Sequence, residues 1–146
     1  MGRKRLKTAQ ETLSFGKLLA TKLAPNTILA LSGDLGAGKT TFVQGLASGL
    51  GIEDPIVSPT FVYLNIYEGT IPLYHFDLYR LKTPSDFAEL GFDEYFARGG
   101  ICAIEWPERI EIPSNAIHLI FTHESEERIV RLASGDKNLL YSGLWD

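Results

Sequence analysis

The hydrophobic residues of the chain follow two periodicities, one typical of helices and one typical of strands. Apolar side chains at helical spacing occupy residues 13–23 and again 42–50, which predicts two amphipathic helices. Continuous apolar runs at 27–32 and 101–104 predict buried strands. Helical and strand patterns therefore alternate along the chain, as they do in α/β domains.

Turn residues divide the other apolar segments into two hairpins and a helical region. Residues 61–77 consist of an alternating strand, the turn Glu68-Gly69-Thr70 and a returning strand, which predicts an antiparallel pair. Residues 116–133 predict a second hairpin across a charged turn. Residues 85–98 predict two short helices that are broken at Gly91.

The two ends of the chain carry weaker patterns. Residues 1–7 are basic and are expected to be solvated and mobile, with contact to an RNA as a second interpretation. Thr8-Ala9-Gln10-Glu11 has the sequence of a capping box and predicts the start of the first helix. The tail at 134–146 is ambiguous. Its apolar side chains are candidates to dock it: Leu139, Leu140, Leu144 and Trp145.

The composition is ordinary for a soluble globular domain, with 45% hydrophobic and 22% charged residues in a chain of 146 residues. No apolar run reaches the length of a membrane span, and no signal peptide is visible. The single cysteine, Cys102, lies in an apolar run and is expected to be a buried thiol. We therefore expect a cytoplasmic protein without a membrane partner. The net charge of −4 argues against nucleic-acid binding through bulk charge.

The segment with the strongest chemical signal is Gly33-Asp34-Leu35-Gly36-Ala37-Gly38-Lys39-Thr40-Thr41. It fits the phosphate-binding pattern G-x-x-x-x-G-K-[ST] at each fixed position. Glycines let the backbone approach an anion closely, and successive N–H groups then form an anion-binding nest. Lys39 supplies a positive charge for phosphates, and the Thr40 hydroxyl suits Mg²⁺. The predicted nucleotide-binding residues are therefore Asp34, Leu35, Gly36, Ala37, Gly38, Lys39, Thr40 and Thr41.

The neighbours of this segment distinguish a phosphate loop from a ligand-free glycine turn. The apolar run at 27–32 precedes it and the helical pattern at 42–50 follows it, and this order places phosphates at a helix N-terminus. We predict a single P-loop NTPase-like α/β domain over residues 1–146. Its central sheet is expected to be mostly parallel, with antiparallel hairpin additions and helices on both faces.

Two acidic residues follow apolar strand segments and are candidates for metal binding or catalysis. Asp77 ends the returning strand of the first hairpin, and Glu105 ends the run at 101–104. Open α/β sheets bind ligands at the carboxyl ends of their strands. Each acid either holds a metal directly or through water, polarises an attacking water, or is a surface acid at a strand end.

Four further side chains have both a functional and a structural interpretation. Thr60 is either a switch-type hydroxyl that reaches Mg²⁺ or the γ-phosphate, or a turn residue that caps its own backbone. His75 lies two positions before Asp77 and points to the same side of the strand, so it either orients the acid or a water, or is structural. Arg80 either neutralises phosphate or pairs with an acid. Trp106 packs either near the nucleotide or in the core.

Four sequence blocks together resemble the TsaE family, which is also called YjeE. The blocks are the glycine loop at 33–41, Ser58-Pro59-Thr60-Phe61, His75-Phe76-Asp77-Leu78-Tyr79-Arg80 and Glu105-Trp106-Pro107-Glu108. The glycine loop alone is unspecific, whereas four blocks in this order in a chain of this length are specific. The resemblance extends from residue 8 to residue 111.

The resemblance implies a bacterial P-loop ATPase of tRNA threonylcarbamoyladenosine (t6A) synthesis. Its implied ligands are ATP and Mg²⁺, and its ATPase activity is implied to be weak without partners. The implied partners are the TsaD and TsaB proteins, and tRNA is reached indirectly through their complex. ATP hydrolysis is implied to reset that complex between rounds of modifying the adenosine 3′ to the anticodon in tRNAs that read codons starting with A.

The resemblance also implies a role for individual residues. Lys39 and its loop hold phosphates, and Thr40 and Glu105 are metal ligands. Asp77 is a Walker-B-like acid that hydrolysis needs. Thr60 is a switch-like residue, and Trp106 lies near the nucleotide.

Two other function classes share the glycine loop. A small-molecule kinase needs a lid with several arginines, whereas the stretch after Asp77 offers Arg80 and Arg98. A regulatory GTPase reads guanine through an N-K-x-D motif, which the sequence lacks. The kinase remains the alternative to the TsaE interpretation.

Overall fold

The structure is a computed structural model that describes residues 2–33, 38–57, 59, 62–135 and 137–146. Its elements along the chain are β1 (Arg3–Leu6), α1 (Ala9–Ala20), β2 (Ile28–Gly33), α2 (Lys39–Gly49), β3 (Leu64–Tyr67), β4 (Leu73–Asp77), α3 (Pro84–Glu89), a 3-10 helix (Phe92–Ala97), β5 (Ile101–Glu105), a second 3-10 helix (Pro107–Arg109), β6 (Ile117–Glu124), β7 (Glu127–Ser134) and α4 (Lys137–Leu140).

The strands form one 7-stranded sheet in the order β1-β7-β6-β2-β5-β4-β3. Its four central strands, β6, β2, β5 and β4, are parallel to one another. The hairpin β3–β4 extends one side, and the antiparallel strands β7 and β1 extend the other. The predicted mixed α/β fold, with a parallel centre and antiparallel additions, is therefore confirmed.

Helices cover the sheet on both faces because the central strands are apolar on both sides. Leu29 and Leu31 of β2 are fully buried in the core that includes α1 and α2. Ile28, one position along, belongs to a second core that includes Phe87 of α3. Strands buried on both faces read as continuous apolar runs, which is why β2 and β5 were recognisable in the sequence.

Helices α1 and α2 approach each other unusually closely through glycines. A Cβ atom on Gly45 would lie 2.2 Å from the carbonyl oxygen of Leu13, and one on Gly16 would lie 2.5 Å from that of Phe42. The two backbones can pack at this distance because both positions lack a side chain. The contact fixes the first turn of α2, which follows the glycine loop, against α1.

The prediction that residues 1–7 are solvated and mobile is wrong for Arg3–Leu6. Arg3–Leu6 forms the edge strand β1 and pairs with β7. Its basic side chains face acids of the neighbouring hairpin, with Arg3 3.4 Å from Glu124 and Arg5 3.3 Å from Glu127. Strand β1 has four residues and one apolar side chain. It therefore has no clear period-2 pattern from which the strand could be predicted.

The C-terminal tail docks on the core through the side chains that the sequence singled out. Leu139 and Leu144 are 5% and 3% exposed. The indole of Trp145 donates a hydrogen bond to the carbonyl oxygen of Leu139 at 3.0 Å and packs edge-on against Phe15. Burial of these apolar groups holds the short helix α4 against the domain.

The last residue covers the outer edge of β1. The backbone N–H of Asp146 donates to the carbonyl oxygen of Arg3 at 2.8 Å, and its carboxylate accepts from the N–H of Arg5 at 2.8 Å. This backbone hydrogen bond lowers the pKa of the Asp146 carboxyl. Covering an edge strand in this way blocks pairing with another chain.

Two predicted boundaries also change. The second short helix of the region 85–98 is a 3-10 helix at Phe92–Ala97, which begins after Gly91 at φ 78°. Strand β3 begins at Leu64 rather than at residue 61, and residue 61 lies outside the described part of the chain. Within that part, no helix is both long and apolar enough to cross a bilayer.

The buried position of Leu6 makes β1 testable. The substitution Leu6→Ala should lower the free energy of unfolding by about 2–4 kcal/mol, because a side chain in the core leaves a cavity. The side chain is 1% exposed. Urea unfolding followed by circular dichroism measures the change. The exposed neighbour Lys7 provides the control, since Lys7→Ala should shift stability by less than about 0.5 kcal/mol. Equal stability of the two variants would show that β1 is not packed.

Candidate functional site

The carboxyl ends of β2, β4 and β5 meet at one edge of the sheet. Asp77 and Glu105 are register partners at the ends of β4 and β5. Leu31 of β2 pairs with Glu105, so β2 extends two residues further, to Gly33. Helix α2 begins beyond this edge at Lys39. The register therefore brings the two predicted acids to the same edge as the start of the predicted phosphate-binding helix.

A cavity of about 300 Å³ opens at this edge. The residues from Gly38 to Thr41 line it, together with Asp77, Glu105 and Trp106. Seven side chains or backbone positions that the sequence singled out thus meet around one space. The predicted residues Asp34, Leu35, Gly36, Ala37 and Thr60 lie outside the described residues.

The start of α2 presents backbone donors to this cavity. Gly38, the residue before the helix, has φ 98° and offers no side-chain cap, and only glycine adopts this backbone region readily. The first N–H groups of an α-helix have no partner inside the helix, and the first helical hydrogen bond here runs from the N–H of Phe42 to the carbonyl oxygen of Gly38 at 2.9 Å. The residues from Gly38 to Thr41, which precede that bond, line the cavity, where the helix dipole favours an anion.

Lys39 is a buried cation at the cavity wall. Its side chain is enclosed, with the residue 7% exposed, and its ammonium donates to the carbonyl oxygen of Gly33 at 2.7 Å. The same ammonium lies 5.4 Å from the centre of the Trp106 ring. Both of these partners, a backbone carbonyl and an indole ring, are neutral. An anion in the cavity would therefore interact strongly with the charge of the Lys39 ammonium.

Glu105 is a buried carboxylate that is held by a fully buried histidine. The distance from Nε2 of His75 to Oε2 of Glu105 is 2.7 Å, and His75 is 0% exposed. Nδ1 of His75 has no hydrogen-bond partner in the described structure. A neutral ring with its proton on Nε2 satisfies this arrangement, because the bare Nδ1 then carries no N–H that lacks an acceptor. His75 thus donates to one oxygen of Glu105 and fixes the carboxylate.

Asp77 and Trp106 complete the acidic side of the cavity. Oδ1 of Asp77 accepts from the N–H of Tyr79 at 3.0 Å, which orients this half-buried carboxylate. Trp106 has φ 59°, a backbone region that costs about 1–3 kcal/mol for a residue other than glycine. The Trp106 ring packs against Tyr79, with 4.9 Å between centres. The strained backbone turns the indole over the cavity directly after Glu105.

Three residues that no sequence pattern indicates also line the cavity. Ala9 and Thr12 come from the first turns of α1, and Arg128 comes from β7. No local sequence pattern indicates them, because α1 and β7 are separate from each other and from the glycine loop along the chain. Only the sheet order and the glycine contact between α1 and α2 bring them to the site.

Other candidates lie elsewhere. Arg80 does not line this cavity. Burial raises the pKa of the Cys102 thiol to about 12, as expected for a core residue.

In the described part of the chain, no group of three or more His, Cys, Asp or Glu residues gathers as a metal cage. A magnesium ion that is held mainly by substrate phosphates needs only one or two protein ligands.

Comparison with known proteins identifies the family. Residues 6–131 match the sequence model of TsaE, the threonylcarbamoyl adenosine biosynthesis protein. The chain belongs to the TsaE family. The match includes every residue assigned above to the cavity, from Ala9 to Arg128, and it ends before the docked tail.

Individual TsaE proteins are similar over most of the chain. A protein named tRNA threonylcarbamoyladenosine biosynthesis protein TsaE from Nostoc sp. is 49% identical over 80% of this chain and 75% of its own length. The protein of the same name from Bacillus subtilis is 41% identical over 88% and 83%. The crystal structure of Bacillus subtilis YdiB superposes with a TM-score of 0.78 at 35% identity, covering 97% of this chain and 92% of that one.

The hydrogen bond between His75 and Glu105 can be tested by stability. His75→Leu removes the donor and should lower the free energy of unfolding by about 1–3 kcal/mol, because Glu105 is left buried without its partner. His75→Gln places an N–H donor near the position of Nε2 and should recover most of this loss. Urea unfolding measures both variants.

A double-mutant cycle with Glu105→Gln separates the hydrogen bond from simple packing. We expect a coupling energy of about 1–2 kcal/mol between the two positions. If His75→Leu were as stable as His75→Gln, His75 would not hold Glu105.

Proposed function

We propose that this TsaE-family protein binds ATP with Mg²⁺, hydrolyses it slowly, and serves with TsaB and TsaD in forming t6A in tRNA. The observation that carries the proposal is the meeting of an uncapped helix start, a buried lysine and two carboxylates around one cavity. The names of its relatives supply the pathway, and the pathway in turn supports a cytoplasmic location. A P-loop NTPase-like arrangement is the interpretation that best accounts for the site.

The phosphate-binding part of the proposal rests on the start of α2. The N–H groups of the first turn and the ammonium of Lys39 surround the same space, where they would bind adjacent phosphate oxygens. Lys39 would exchange its 2.7 Å hydrogen bond to the Gly33 carbonyl for a charged partner. Hydrogen bonds to charged groups contribute about 1.5–3 kcal/mol each, more than neutral ones.

The residues present fit a magnesium ion. Glu105 is a buried carboxylate of which only one oxygen is engaged by His75, and Thr40 is an exposed hydroxyl on the first turn of α2. Both are oxygen ligands of the kind that Mg²⁺ prefers. When bound, the ion would neutralise charge on the phosphates.

Asp77 is placed to act on water. It lies beside Glu105 in the neighbouring strand and is only partly buried, so a water can reach it. With one oxygen fixed by the N–H of Tyr79, its carboxylate can accept a hydrogen bond from an attacking water and orient it. Thr60, a predicted switch-type residue, remains part of the proposal as an untested prediction.

The acidic end of the cavity is open, which supports a weak and partner-dependent activity. Thr40 is exposed, and Tyr79 beside Trp106 is 51% exposed. An open site leaves water free to solvate the phosphates, whereas closure strengthens the electrostatic interactions inside. A protein that covers this edge, as we propose for the TsaB–TsaD complex, would therefore raise turnover.

A small-molecule kinase is the alternative, but the cavity favours it less. Kinases of this type clamp the transferred phosphoryl group with arginines of a lid. Among the described residues that line the cavity, the arginine is Arg128, which lies on a strand on the opposite side of β2 from the acids. Formation of a phosphorylated metabolite in place of t6A would favour the kinase.

Removing the Lys39 charge tests the phosphate site. Lys39→Ala should weaken Mg-ADP binding by about tenfold or more and abolish ATP hydrolysis, because a buried cation that faces several phosphate oxygens is lost. Isothermal titration calorimetry and phosphate release measure the two effects. The exposed Lys22→Ala is the matched control and should behave like the unchanged protein. Unchanged binding in Lys39→Ala would contradict the assignment of the loop.

Reconstituted t6A formation over several cycles tests the accessory role. With TsaB–TsaD and tRNA, adding this protein should raise the number of modified tRNAs per complex, and the complex should accelerate its ATPase. Asp77→Ala should still bind ADP, but its turnover should fall by at least about tenfold, or about 1.4 kcal/mol of barrier. Full ATPase activity without partners, or an equal t6A yield without this protein, would contradict the proposal.

A further inference from the structure

The carboxylate of Glu105 has one of its two oxygens left for a ligand. In the described structure this carboxylate receives a hydrogen bond at Oε2, which lies 2.7 Å from Nε2 of His75. Glu105 is 7% exposed and lines the cavity. Oε1 does not belong to the buried polar atoms that lack a partner, so it is the oxygen that is open to the cavity.

Strand β4 and a small neighbour in β5 place His75 for this hydrogen bond. Leu73 and His75 are two positions apart and therefore lie on the same face of β4, and Leu73 belongs to the core that includes α2. The register partner of His75 in β5 is Ala103, whose short side chain leaves room for the ring. The fully buried imidazole can therefore reach Glu105, which lies two residues beyond Ala103.

A histidine is a costly residue for this position unless its N–H donor is used. Nδ1 of His75 is buried without a hydrogen-bond partner in the described structure, and burial of an unpaired polar atom is unfavourable. An apolar side chain would fill the same space without this cost. What an apolar side chain cannot supply is the N–H at Nε2, and the group that this N–H contacts is the carboxylate of Glu105.

The number of free carboxylate oxygens affects which divalent cation the site accepts. Mg²⁺ requires nearly ideal octahedral geometry and is bound through one or two carboxylates together with phosphates and waters. Ca²⁺ takes about six to eight oxygen ligands, and carboxylates often bind it through both oxygens. A carboxylate that holds one oxygen in a hydrogen bond therefore suits Mg²⁺. To bind Ca²⁺ through both oxygens, Glu105 would have to give up its hydrogen bond to His75.

We propose that His75 is a positioning residue that selects Mg²⁺ over Ca²⁺ by keeping Glu105 a ligand with one available oxygen. The proposal rests on the nucleotide and magnesium site proposed above and adds the basis on which the cation is chosen. His75 does not line the cavity, so it acts through Glu105 rather than on the cation itself.

The selectivity can be measured by the binding of a non-hydrolysable ATP analogue. Isothermal titration calorimetry is carried out at Mg²⁺ or Ca²⁺ concentrations that saturate the analogue, and it gives the dissociation constant of each complex. The unmodified protein should bind the Mg²⁺ complex at least about fivefold more tightly than the Ca²⁺ complex. In His75→Leu, the released oxygen of Glu105 should strengthen Ca²⁺ binding and bring the two constants to within about twofold.

Two further variants separate this role from core packing. His75→Gln supplies an N–H near the position of Nε2 and should keep the selectivity of the unmodified protein. The double variant with His75→Leu and Glu105→Gln should lose the gain in Ca²⁺ binding, because an amide has one oxygen and its nitrogen carries protons. Far-UV circular dichroism checks the fold of each variant.

Three results would overturn the role of His75. The first is a folded His75→Leu protein with the selectivity of the unmodified protein. The second is a gain in Ca²⁺ binding that persists in the double variant. The third is an unmodified protein that binds the two complexes equally, and this result decides against the proposal even where His75→Leu does not fold.

The unmodified protein also separates this proposal from the function on which it rests. If the analogue binds through Lys39 but equally well in EDTA, the phosphate site stands, and the magnesium site fails together with the selection by His75. If the analogue binds under none of these conditions, the proposed nucleotide function itself fails.

Discussion

The site depends on the parallel register of three neighbouring strands. Leu31 of β2 pairs with Glu105 of β5, and Glu105 pairs with Asp77 of β4. Parallel strands end at the same edge of a sheet, and only there can acids from two strands face a loop from a third. A register shift of one residue would turn each of these side chains to the opposite face. Such a shift would also break the close packing of the apolar side chains in the two cores.

Two charged side chains are buried at this edge of the sheet, where their burial is unfavourable for stability. Lys39 and Glu105 are each 7% exposed, and burial of a charge is costly unless hydrogen bonds compensate for it. Lys39 obtains a backbone carbonyl, and Glu105 obtains the ring of His75. These neutral partners hold each charged group in position without cancelling its charge. A buried ammonium and a buried carboxylate in one cavity are consistent with the proposed ligand, which combines negative charge with a cation.

The far side of the cavity shows how the chain ends support the site. Strand β1 pairs with β7, which carries Arg128, and the last residue of the chain bonds to the outer edge of β1. Helix α1 follows β1 and packs on α2 through Gly16 and Gly45. The two ends of the sequence thus fix the wall opposite the acids, although neither end contains a recognisable chemical motif.

The sequence by itself determined the features that local physics encodes. Apolar runs specified β2 and β5, because the buried parts of both strands, residues 28–31 and 101–104, are continuously apolar. The glycine loop and the acids at strand ends predicted the chemistry that we propose for the site, and four ordered blocks indicated the family. Strand β1 could not be predicted from the sequence, because charge pairs with the neighbouring hairpin, rather than an apolar periodicity, accompany its pairing. The sequence also did not predict that Ala9, Thr12 and Arg128 line the cavity, because a residue's place in a cavity depends on the sheet order and on helix contacts. Only the tertiary structure determines the sheet order, because it pairs segments that are more than a hundred residues apart in the chain, for example Leu6 with Arg128.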